Sequence, residues 1–151
     1  KAYAPDFVFI FDEATGVDFS ANGNWHAAMN EMNMKETLHR GSCNDLNIYI
    51  NEPSGGVLGW ATWPWMCERD TDMDGVVIYK ESLPGGGAAP YNLGKTLVHQ
   101  VGHWMGLFHT FEEGCDTIEG EVSDTPPQAG PTYGCPVSRD TCGGGGSDPV
   151  N

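Results

Sequence analysis

Positive charge is what this chain has least of: 7 Lys and Arg stand against 21 Asp and Glu in 151 residues, a formal net charge of −14. A surface that repels phosphate excludes nucleic acid and anionic membranes as expected partners. Long apolar runs are also missing. Those present are short, such as Phe7 to Phe11, far below the ~20 residues a helix needs to cross a bilayer. The five cysteines include no Cys-x-x-Cys pair, which argues against a Cys-built zinc site or a thioredoxin-type redox motif. There is no Asn-x-Ser/Thr acceptor, and Lys1 follows no Met and no apolar leader. The expectation is therefore a processed chain from which any signal and pro-segments are gone. Repeats are absent too, and the length suits one ordinary domain.

Turn-forming residues are abundant, with 21 Gly and 10 Pro. Phe7 to Phe11 reads as a short buried strand, and Trp25 to Arg40, free of Gly and Pro, as a helix stopped by Gly41. Leu46 to Ile50 alternates as a half-buried strand should; Val57 to Trp63 is a third strand ended by Pro64, and Val76 to Tyr79 a fourth. A second helix is expected from Asn92 to Met105. Beyond Phe111 the pattern dissolves into Gly, Pro, Asp and Cys, implying an irregular segment held by cross-links or ions. Strands and helices alternate, so the fold class is α/β or α+β around one sheet.

The informative stretch is His99-Gln100-Val101-Gly102-His103-Trp104-Met105-Gly106-Leu107-Phe108-His109. On a helix, positions four apart share a face, so His99 and His103 can present imidazoles to one point. Gly106 can end the helix at positive φ and swing His109 back as a third ligand. Three neutral imidazoles with an open fourth position describe a catalytic zinc site rather than a closed structural one. Five cysteines leave one sulfur free or paired outside the chain; disulfides in an oxidising compartment suit the others.

This stretch matches the metzincin signature His-Glu-x-x-His-x-x-Gly-x-x-His at every fixed position but one. Together with Leu46 to Tyr49, Leu58 to Ala61, Asp74 to Val77, Asp124-Thr125-Pro126 and Asp140-Thr141-Cys142, it resembles the pappalysin family of metzincins, especially its small secreted fungal and bacterial members. The resemblance implies an extracellular zinc endopeptidase with a twisted mixed sheet, Trp25 to Arg40 as backing helix and Asn92 to Met105 as active-site helix. Zinc would be held by His99, His103 and His109, and the partner would be a protein or peptide substrate. It further implies disulfides Cys115 to Cys142 and Cys43 to Cys67, with the partner of Cys135 beyond the chain.

Two departures from that family bear on activity. Gln100 stands where the family has the glutamate that takes a proton from zinc-polarised water. A carboxamide of the same size has no useful basicity, so this chain is expected to keep zinc and to cleave poorly or not at all. Whether Gln100 is engineered or natural stays open; a natural Gln would favour a pseudoprotease that holds peptides without cutting them. The second departure is the end at Asn151, before the Met-turn the resemblance implies. The single catalytic domain, 1–151, is thus expected to be incomplete, with a C-terminal segment carrying that turn as its partner.

Weaker signals complete the reading. Asp70-Thr71-Asp72-Met73-Asp74-Gly75, with Glu81 at the twelfth position, fits an EF-hand expression, but its flanks read as strand and turn. Asp116, Glu119, Glu121, Asp124 and the Thr125 carbonyl offer hard oxygen ligands for a calcium ion. A calcium-stabilised adhesion domain with a vestigial zinc site is the third reading. Gly94-Lys95-Thr96 fails as a phosphate loop because Ala89 occupies the upstream glycine position. His26 and His39 have no partner at metal spacing. Trp60 to Trp65 can line a substrate cleft or serve as core.

Overall fold

The structure, a computed structural model, describes residues 8–26, 30–116, 125–134, 136–143 and 146–149. Two compact units divide the chain at Gly106. Among its described residues the first holds three strands, β1 (Ile48–Asn51), β2 (Gly59–Ala61) and β3 (Val76–Tyr79), and three α-helices, α1 (Glu31–Leu38), α2 (Pro64–Cys67) and α3 (Lys95–Trp104).

The sheet order is β1-β3-β2. β3 runs parallel to β1, with Ile48 opposite Val76 and Asn51 opposite Tyr79, and antiparallel to β2, with Gly59 opposite Ile78 and Ala61 opposite Val76. A central strand covered on both faces needs apolar side chains at every position, which Val76, Val77 and Ile78 supply; all three are fully buried. Their alternation splits the core. Val77 joins Tyr49 and Met34 of α1, with Trp60 and Leu38 packed around them. Val76 and Ile78 join Val101 of α3, with Leu97 and Trp104 against them. The sheet therefore separates α1 from α3, the mixed α+β arrangement expected.

Polar groups knit the α1 side. Lys35 has no solvent exposure; its Nζ lies 2.8 Å from Glu31 and donates to the Met73 carbonyl at 2.9 Å. Glu31 also accepts from the Trp60 indole at 2.8 Å. Burial, reinforced by Asp74, holds the Tyr49 phenol well above its usual range. A disulfide joins Cys43 to Cys67.

The second unit, residues 107–151, contains no helix or strand among its described residues. The Cys115–Cys142 disulfide and side-chain hydrogen bonds hold it, in keeping with its Gly- and Pro-rich sequence. Cys135 lies outside the described residues.

Several elements differ from the sequence expectation. Residues 8–11 are not a buried strand: Val8 is 83% and Ile10 96% exposed, and no described strand pairs with them. An apolar run becomes a strand only where a neighbouring ladder accepts it; Phe7 lies outside the described residues. The expected helix over Trp25 to Arg40 contracts to Glu31–Leu38, preceded by a 3-10 turn over Gly23–Trp25; residues 27–29 are not described. β2 is shorter than Val57 to Trp63, because Pro64 starts α2. The second helix starts at Lys95 rather than Asn92, after Gly94 in the left-handed region.

Candidate metal centre

α3 has an apolar stripe, Leu97, Val101 and Trp104, packed toward the sheet, and a second stripe carrying His99 and His103. Their imidazoles meet edge to face, with Nε2 atoms 2.9 Å apart. His103 is buried and His99 half-buried, so the pair faces the boundary between core and water. After Trp104 the helix closes with Met105 N–H donating to Val101 and Gly106 N–H to His103. Gly106 has φ 95°, a conformation that favours glycine, and the chain turns there.

His109 follows this turn. One ligand atom from each of His99, His103 and His109 lies within 4.8 Å of the others. Zn–N bonds of about 2.0–2.1 Å place tetrahedral donors ~3.3 Å apart, so the set suits one ion with small side-chain adjustment. Three imidazole nitrogens and no thiolate form a donor set that would fit an open zinc site.

The surroundings orient these ligands. His109 Nδ1 is 3.2 Å from Glu112 Oε2, which favours the tautomer with its proton on Nδ1 and leaves Nε2 as donor to a metal. The His109 ring also stacks on Phe111 at 4.8 Å. Trp63 meets His103 at 5.2 Å and stacks on half-exposed Trp65 at 5.0 Å, whereas Trp60 packs with the α1 core. Trp60 therefore serves as core, while Trp63 and Trp65 lie beside the histidine pair.

Gln100 lies on α3 against β2. A β-carbon at Gly59 would meet the Val77 carbonyl oxygen of β3 at 2.7 Å, which excludes a side chain there, and would lie 3.3 Å from Gln100 Cγ, which places the helix close to the strand. β2 is an edge strand, and its residue Gly59 abuts position 100.

The acidic segment before β3 is built differently from a calcium loop. Thr71–Met73 is a 3-10 turn leading directly into β3. Asp74, 1% exposed, accepts from Thr62 Oγ1 at 3.0 Å and from Trp104 Nε1 at 3.1 and 2.9 Å. Glu81 accepts from Gly87 N–H at 2.6 Å. Of the expected calcium ligands, Asp116 and Thr125 are described, while Glu119, Glu121 and Asp124 lie outside the described residues. His26 and His39 are not in the histidine cluster.

Sequence reading missed Glu112 and the role of Asp74 as acceptor for the Trp104 indole. A His-x-x-Glu spacing was a signal for the first; nothing local marked the second, whose indole partner is 30 residues away.

Comparison with known proteins shows the family. A peptidase family profile described as pregnancy-associated plasma protein-A matches residues 29–146. Extracellular metalloprotease 1 of Coccidioides posadasii is 46% identical over 99% of this chain and 54% of its own length. An extracellular metalloprotease of Neurospora crassa is 41% identical over 100% of this chain and 54% of its own. The chain therefore spans about half the length of the curated relatives it matches. Among solved structures, mature mirolysin of Tannerella forsythia in complex with a cleaved peptide has a TM-score of 0.63 at 28% identity, covering 79% of this chain and 48% of that one.

Proposed function

This chain belongs to the pregnancy-associated plasma protein-A (pappalysin) family of metzincin peptidases, and on that premise we propose that it is the zinc-binding part of a secreted endopeptidase whose general base is disabled. The clustered imidazoles of His99, His103 and His109 on α3 and the Gly106 turn carry the reading. These three residues would hold zinc, which when bound lowers the pKa of a water and polarises the scissile carbonyl.

The chain's own residues set the rest. Glu112 keeps His109 in the tautomer that frees Nε2. Edge strand β2 offers unpaired backbone groups to an extended peptide, and Gly59 brings that strand against position 100. Gln100 can hydrogen-bond a water there but cannot take its proton, a loss on the order of 10²–10⁴ in rate. Secretion is supported by relatives named as extracellular. The same reading takes residues 1–151 as one catalytic domain, with the Met-turn and the partner of Cys135 in the additional length that the relatives have. Calcium in the loop from Asp116 to Thr125 would brace the irregular segment through oxygen donors.

The test compares Gln100→Glu with the Gln100 protein, both extended to the relatives' length and loaded with zinc. Peptide cleavage by the Glu form alone, abolished by a chelator, is the expected result. If both bind zinc and neither cleaves, the protease reading falls and a peptide-holding pseudoprotease takes its place.

A further inference from the structure

Gln128 has no solvent exposure, yet it lies in a unit without helix or strand among its described residues. A buried carboxamide is tolerated only when hydrogen-bonded, and its partners here lead toward the metal centre. Its Oε1 accepts from Thr110 Oγ1 at 2.7 Å, and Thr110 follows His109 directly. Its Nε2 donates to the hydroxyl of buried Thr132. Thr132 also accepts from Arg139 at 2.6 Å, and Arg139 lies 3.3 Å from Asp148. Asp148 in turn accepts from Thr141 N–H at 2.9 Å, beside the Cys115–Cys142 bridge.

We propose that Gln128 is a positioning residue for the third metal ligand: through Thr110 it ties the backbone carrying His109 to a cross-linked polar network. Helix α3 holds His99 and His103; His109 lies outside helix and strand, and the buried Gln128–Thr110 bond adds a tie at the adjacent residue. The proposal rests on the zinc reading above.

Zinc affinity of the intact protein, measured by competition with a chromophoric chelator, tests it in Thr110→Val, Gln128→Leu and the double variant. Thr110→Val keeps the shape and removes the donor. Each single variant should weaken zinc about tenfold, within the range of outer-shell losses, and the double should weaken it little further, because one link is broken twice. The visible spectrum of the cobalt-substituted form should change in the same variants. Folded variants, judged by circular dichroism, whose zinc affinity stays within about twofold of the parent overturn the proposal. Should Gln128→Leu not fold, Thr110→Val alone decides. Failure of the parent to bind zinc instead overturns the zinc reading.

Discussion

Replacing Asp74 by alanine should destabilise the first unit through one identifiable loss. The carboxylate is 1% exposed and takes the Trp104 indole N–H on both oxygens, at 3.1 and 2.9 Å. Thr62 also donates to it, but the same hydroxyl lies 3.0 Å from the Gly75 carbonyl, to which it can turn. The unrecovered loss is therefore the indole's charged acceptor, about 1.5–3 kcal/mol, partly offset by the desolvation cost of the removed charge. A small cavity adds to it, so Asp74→Ala should cost about 2–3 kcal/mol in total. Asp74→Asn keeps one carbonyl oxygen for the indole and should cost about 1 kcal/mol. Urea denaturation with chelator present is the assay, because a bound metal would add stability by mass action. Trp104→Phe combined with Asp74→Ala should cost less than the two single losses together, since the pair shares one interaction. Asp74→Ala within about 0.5 kcal/mol of the parent, or less harmful than Asp74→Asn, refutes the reasoning.

Two other outcomes follow from the same contacts. Glu112→Ala should weaken zinc about 10–100-fold with little change in unfolding, since Glu112 is 43% exposed; Glu112→Gln, which keeps an acceptor for Nδ1–H, should recover part of it in the same chelator competition. Lys35→Ala removes the buried partner of Glu31 and should cost about 2 kcal/mol, below the range for a fully buried pair because Glu31 is 23% exposed and keeps the Trp60 indole. Adding Glu31→Gln should return at least about 1 kcal/mol of this in urea denaturation.

The histidine cluster was legible in the sequence because it is local. His99 and His103 are one helical turn apart, Gly106 supplies the turn, and His109 follows within three residues, so helix geometry and glycine's conformational freedom suffice to predict their meeting. β3 was legible for a similar reason: an unbroken run of Val76, Val77, Ile78 and Tyr79 suits a strand covered on both faces. The Phe7 to Phe11 run carried the same signature, yet its described residues 8–11 form no strand, since a strand also needs a neighbouring ladder and a pattern does not name one. The second helix was overestimated at its start, where Gly94 in the left-handed region sets the limit at Lys95. Which buried polar groups pair with one another was decided only by tertiary structure. Asp74 finds Trp104 across 30 residues, Lys35 finds Met73 across 38, and Gln128 finds Thr110 across 18. Each polar side chain would serve equally on a solvated surface; packing of the sheet and of the cross-linked loops buries it and selects its partner, because inside the protein an unpaired polar group is too costly to leave.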